Sequence, residues 1–162
     1  MAAAEDDTLP GEGIVLRPFV FPQDYPAVIA LWENAGPGIH VRRSDRPEEI
    51  AKKLQRDPDL FILAVVNASI TPGGGASEEI IGTVLGGYDG RRGMMYHLAV
   101  RADYRQRGVG ALLMNELEQR LRQKGCVKYY LLVTTDNHEA IRFYEKRGWE
   151  RMELYTYGKD LD

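Results

Sequence analysis

The chain has 162 residues, 44% hydrophobic and 28% charged, the size and composition of one ordinary globular domain. Its formal net charge is −3, which gives no support to a non-specific nucleic-acid binder. The single cysteine, Cys126, excludes an intrachain disulfide, and His40, His97 and His138 lack zinc-ligand spacing, so no metal is expected. No apolar run approaches the roughly 18 residues needed to cross a membrane. No basic, apolar secretory signal opens the chain, so a soluble cytoplasmic protein that does not act at membranes is expected.

Residues 1–13 read as a disordered acidic tail, carrying Glu5, Asp6, Asp7 and Glu12 with no Lys or Arg. Residues 14–162 read as one domain. Ile14 to Leu16 is a first strand. Pro22-Gln-Asp24 starts a helix with Tyr25, Val28, Ile29, Leu31 and Trp32 as its apolar stripe, stopped near Gly36-Pro37-Gly38. Pro47 opens a second helix with Ile50 and Leu54 inward. Leu60 to Val66 is apolar throughout, as in a strand covered on both faces. Residues 67–79, with Gly73-Gly74-Gly75, read as a mobile loop without chemistry. Ile80 to Gly87 and Met94 to Val100 are two strands, and Asp89-Gly90 between them signals a hairpin.

The period then changes. Val109, Leu112, Leu113, Leu117 and Leu121 mark a helix that ends near Lys124-Gly125. Tyr129 to Val133 is a strand. Asp136-Asn137 followed by Glu139 reads as an N-cap with a capping box. The helix it opens carries Ile141 and Tyr144 and closes on Lys146-Arg147-Gly148, and Glu153 to Tyr157 is a final strand. The order is βααβββαβαβ, an α+β domain around one sheet.

The segment Ala99 to Ala111 carries the chemistry. A strand runs into a basic loop, which opens a helix. The first amides of that helix lack internal partners and carry partial positive charge. Gly108 and Gly110 let an anion approach the backbone, and Arg105 and Arg107 add full charges. The P-loop pattern is absent, and Leu113 stands where a Rossmann fingerprint needs its third glycine.

Leu98-Ala-Val100, Tyr104-Arg-Gln-Arg-Gly-Val-Gly110 and the stretch Asn137 to Trp149 together resemble the GNAT superfamily of acetyl-CoA-dependent N-acetyltransferases. Thr83 to Gly90 is similar to its bacterial YpeA-type subgroup. The resemblance implies a mixed, mostly antiparallel sheet of six to seven strands with about four helices, splayed where the cofactor enters. It implies that main-chain groups of Leu98, Ala99 and Val100 pair with the pantetheine arm of acetyl-CoA. Arg105, Gln106, Arg107, Gly108, Val109, Gly110 and Ala111 would hold the pyrophosphate. Asn137 would contact the pantetheine region, and Tyr144 would protonate the leaving thiolate. The chemistry implied is direct attack of a neutral amine on the thioester in a ternary complex. A backbone amide of the cofactor-binding strand would stabilise the oxyanion. A homodimer is a family-level expectation.

One position departs from the pattern. Relatives that acetylate ribosomal-protein N-termini carry a glutamate base five residues before the Asn, and Leu132 stands there. Glu33, Asp89 and His97 are the candidate bases, beside a water relay with no dedicated base. His97 and Tyr96 alternate, so only one faces the acceptor in a regular strand, and a bulge changes that parity. Glu33, Tyr88 and Tyr96 are candidate acceptor contacts, and Arg42-Arg43 suits an acidic acceptor or a solvated loop. Cys126 lies at a strand entrance without a partner to activate it. The acceptor stays open between a small amine and a protein lysine or α-amine. A CoA-binding module without turnover is the alternative of another class.

Overall fold

The computed structural model describes residues 13–67, 73 and 77–161. Nearly all of the expected acidic tail and most of the 67–79 loop lie outside these residues. The chain divides after Leu132 into two compact units.

In the first unit, β1 (Ile14–Pro18), β2 (Phe61–Asn67), β3 (Glu78–Tyr88), β4 (Gly93–Val100) and β5 (Tyr129–Leu131) form one sheet in that spatial order. Neighbours are antiparallel except β4 and β5, which run parallel. Helices α1 (Tyr25–Glu33) and α2 (Pro47–Arg56) follow β1, and α3 (Val109–Gln123) joins β4 to β5. Strand β2 is apolar as far as Val66 and lies between β1 and β3, with Phe61 to Ala64 fully buried.

Trp32, Val28 and Ile50 pack with Phe61, Leu63, Val65, Leu85 and Ala99. Leu113 and Leu117 of α3 lie against β3 at two glycines. A Cβ on Gly82 would stand 2.9 Å from Leu113 Cδ1, and one on Gly86 would overlap Leu117 Cδ1. The missing side chains let α3 sit close to the strand. The Tyr88–Gly93 connection is closed by Asp89, whose carboxylate accepts from the amides of Arg91 and Arg92, each at 2.7 Å.

The second unit contains α4 (His138–Glu145). Asn137 caps it, its side chain accepting from the Ala140 amide at 3.2 Å. The expected capping box does not form: with Asn137 as the cap, the third helical position is Ala140, and Glu139 falls one short.

The expected final strand over Glu153–Tyr157 is also absent, and residues 150–161 carry no regular element. Tyr155 and Tyr157 are about nine-tenths exposed. A strand must pair its amides and carbonyls with a neighbour, and among its described residues this unit holds no second strand. The sheet therefore has five strands among the described residues, where six to seven were expected, in the same α+β architecture.

Candidate functional site

The parallel ladder between β4 and β5 covers only Gly93–Met95 against Tyr129–Leu131. From Tyr96 to Val100, β4 is paired on its β3 side alone. The Arg101 amide donates to the Ile81 carbonyl at 2.8 Å. Alternation along an antiparallel ladder then turns the main chain of Ala99 toward β3, and that of Leu98 and Val100 toward the open side. The β4–β5 ladder ends before the residues expected to meet the pantetheine arm.

The loop after β4 concentrates amides. Gln106 and Gly108 both have left-handed backbone, φ +61° and +79°. Gly108 is the N-cap of α3, and its carbonyl accepts from Leu112 at 3.0 Å. Val109, Gly110 and Ala111 follow as the first helical residues, whose amides have no intrahelical acceptor. With the dipole of a 15-residue helix behind them, these amides carry partial positive charge of the kind that suits an anion.

The arginines divide their tasks. Arg101 pairs with Asp103 at 2.7 Å and Glu79 at 3.0 Å. Arg105 donates to the carbonyls of Val100 at 3.2 Å and Ala35 at 2.8 Å. Arg107 stacks over Tyr104 at 5.0 Å and makes no ion pair among the described residues. The expected basic loop therefore presents Arg107 as its unpaired guanidinium.

On the α1 side, β4 carries a bulge. Thr83 faces Ala99 and Leu85 faces Tyr96, so His97 and Leu98 together oppose Val84. His97 has φ +44°, rare for a side chain of its size. Its carbonyl accepts from Thr83 Oγ1 at 2.9 Å, and that oxygen accepts from Trp32 Nε1 at 2.8 Å. The His97 ring lies on Trp32, centroids 4.2 Å apart, and Nε2 meets Asp45 Oδ1 at 2.9 Å.

Burial pushes the Asp45 carboxyl up, but the His97 ring and the Arg42 amide outweigh it and hold the group below the usual carboxylate range. Tyr96 pairs across the ladder with Leu85, a member of the α1-side cluster. The bulge thus gives consecutive residues, Tyr96 and His97, to one face.

The other sequence candidates are scattered. Glu33 is exposed at the end of α1. Its charge, with those of Asp45 and Glu48, adds to burial in raising the Tyr25 phenol, which donates to the Asp45 carbonyl at 2.9 Å. Tyr88 is half-buried, and its carbonyl accepts from Arg56 at 3.0 Å. Tyr96 is 46% exposed, with its phenol raised by burial. The Arg92 and Arg91 amides hold the exposed Asp89 carboxyl below its ordinary range, a turn-closing role. Leu132 is 62% exposed. Cys126 is buried, with Sγ 3.3 Å from the Lys128 carbonyl.

In the second unit, Tyr144 packs edge-on against Phe143 and Trp149, centroids 5.2 and 5.8 Å away. Burial pushes its phenol up to about 12, so it stays protonated at neutral pH.

Sequence reading missed Asp45, Thr83 and the role of Trp32. They lie far apart in the chain, and no spacing joins them to His97. Among the described residues no group of His, Cys, Asp and Glu could hold a metal ion, and no helix is long and apolar enough to cross a membrane.

Residues 26–149 match the model of the acetyltransferase (GNAT) family. The chain is 42% identical over 139 residues to an acetyltransferase of Pectobacterium atrosepticum, covering 85% of this chain and 89% of that protein. It is 40% identical over 144 residues to an acetyltransferase of Yersinia pestis, covering 88% and 93%. Among solved structures it is similar to Ard1 from Thermoplasma volcanium, with TM-score 0.67, 26% identity, and 84% and 82% coverage. It shares the fold of the PaiA N-acetyltransferase from Thermoplasma acidophilum, solved in complex with coenzyme A, with TM-score 0.71, 18% identity, and 89% and 94% coverage. The chain belongs to the GNAT family of acetyltransferases and is an acyltransferase enzyme.

Proposed function

We propose that this acetyltransferase moves the acetyl group of acetyl-CoA to a primary amine by direct attack in a ternary complex. The carrying observation is the opening of the sheet after Met95, in the same unit as the amide-rich loop Arg105–Ala111. An open strand edge suits the amide groups of a pantetheine arm, and unpartnered amides at a helix start suit a pyrophosphate. The PaiA neighbour was solved with coenzyme A, which supports the same donor. Asn137 as a pantetheine contact and Tyr144 as the acid for the thiolate belong to this proposal on the strength of the motif that carries them, as does kinship with the YpeA-type subgroup.

The acceptor is proposed at the level of a primary amine, small or peptidic. The exposed Leu132 cannot take a proton, so the reading does not extend to a glutamate-based protein N-terminal mechanism. The membership of the acetyltransferase family speaks against a CoA-binding module without turnover.

Calorimetry with CoA tests the donor half. The wild type should bind, and Gly108→Glu should abolish binding, because it puts a side chain and a negative charge at φ +79° in the anion site. A wild type without CoA affinity would end the reading. Thiol release from acetyl-CoA across a panel of amines then identifies the acceptor.

A further inference from the structure

We infer that His97, oriented by Asp45 and Trp32, is the group that takes the proton from the attacking nucleophile; this rests on the acetyl-CoA reading above. The imidazole belongs to the bulged residue that immediately precedes Leu98, the first open rung of β4. Three partners fix it. Asp45 holds Nε2 at 2.9 Å, Trp32 lies under the ring, and the chain from Trp32 Nε1 through Thr83 Oγ1 holds the His97 carbonyl.

The side chain is 17% exposed, and among the described residues Nδ1 makes no hydrogen bond. A carboxylate on one ring nitrogen selects the tautomer that leaves a lone pair on the other. Asp45 is ready for that task, since it is held ionised and only 4% exposed. The left-handed backbone at His97 is rare for a residue with a side chain, and such positions cluster at functional sites.

The surroundings carry little competing chemistry. From α1 come the Trp32 ring and, further out, Tyr25 and Glu33; from the α1–α2 segment, Asp45 with Arg42 behind it; from β3, the Thr83 hydroxyl; from β4, Tyr96. Asp45 is the carboxylate in direct contact with the ring. Glu33 and Asp89, the other sequence candidates, are respectively exposed on α1 and engaged in a turn.

In the step, the nucleophile's lone pair forms a bond to the thioester carbon. The proton that the nucleophile sheds passes to His97 Nδ1. The sulfur leaves with the C–S electron pair and takes a proton from solvent, and His97 returns the nucleophile's proton to solvent, so the protons balance.

Two nucleophiles separate this role from a structural one. Water must lose a proton as it attacks, whereas hydroxylamine is uncharged at neutral pH and reactive without strong base assistance. Acetyl-CoA discharge is measured with water alone and with added hydroxylamine, for wild type, His97→Gln and Asp45→Asn, with CoA affinity measured on each. His97→Gln should slow discharge to water about 100-fold, at the low end of general-base contributions, and Asp45→Asn by less, about tenfold, because the base itself remains. Hydroxylamine discharge should fall far less than discharge to water, and CoA affinity should stay nearly unchanged.

An equal fall with both nucleophiles, or no fall with water, would overturn the inference. So would a wild type that binds acetyl-CoA and discharges it to neither nucleophile. A wild type that does not bind CoA would overturn the donor reading and His97's role with it. Should His97→Gln lose CoA binding, Asp45→Asn, which keeps the side-chain shape, decides alone.

Discussion

The Arg105 guanidinium donates to the Ala35 carbonyl at 2.8 Å, tying the loop before α3 to the end of α1, 70 residues away in sequence. The same side chain reaches the Val100 carbonyl. Arg105 is thus a clasp between two segments as well as a positive charge. Lysine keeps the charge but not the planar fork of donors. Arg105→Lys should therefore weaken CoA binding about tenfold, or about 1.4 kcal/mol, close to the effect of Arg105→Ala. Calorimetry at several salt concentrations checks this; wild-type affinity in the lysine variant would reduce Arg105 to an electrostatic role.

Gly82 and Gly86 make contrasting predictions. The three atoms nearest a Cβ on Gly86 all belong to the Leu117 side chain, whereas one on Gly82 meets Val109 Cγ1 at 3.1 Å and the Ala99 carbonyl at 3.2 Å besides Leu113. Overpacking of this kind costs about 1–3 kcal/mol. Gly86→Ala should lower stability with little change in CoA affinity. Gly82→Ala should lower both, since it presses on the first residue of α3 and on β4. Urea unfolding beside CoA titration separates the two.

Asp24 supplies a pH-dependent contribution to stability. Its carboxylate takes Arg17 at 2.7 and 2.9 Å and the Val20 amide at 2.7 Å. Burial raises its pKa, and these partners more than compensate, leaving it below the ordinary carboxylate value. A depressed folded-state pKa means that the stabilisation is complete above about pH 4 and is lost as pH falls through the folded value. Asp24→Asn should cost about 1.5–3 kcal/mol at neutral pH. That difference should shrink under strong acid; a pH-independent difference would show that packing dominates.

Tyr144→Phe should lower acetyl transfer about 100-fold, in line with loss of a general acid, while CoA affinity stays near wild type. Burial pushes the phenol up to about 12, which keeps its proton in place at neutral pH, as a donor requires. Unchanged turnover would remove the acid role and leave Tyr144 as the partner of Phe143 and Trp149.

The order of elements up to α4 was legible because its signals are local. The 3.6-residue stripe of Val109 to Leu121, the apolar run of β2, the Asp89-Gly90 turn and the glycine at the start of α3 each depend on residues a few positions apart. The last strand failed for the complementary reason. Glu153 to Tyr157 is rich in residues that favour strands, but propensity cannot supply a pairing neighbour.

The net charge of −3 was likewise a local matter. The acidic residues of 1–13 account for −4, leaving a body of +1 that includes the three arginines near α3. Composition alone could not say how those arginines are used. Only the fold sends Arg101 to Glu79 and Asp103, Arg105 to Ala35 and Val100, and leaves Arg107 over Tyr104.

The sequence by itself thus determined the family motif, the glycine-bearing start of α3 and most of the element order. Tertiary structure decided what His97 is. The bulge opposite Val84 changes the strand's parity, and it brings His97 to Asp45 across 52 positions and onto Trp32. Contacts of that length depend on sheet register and on where helices pack, and neither is encoded in any short stretch of residues.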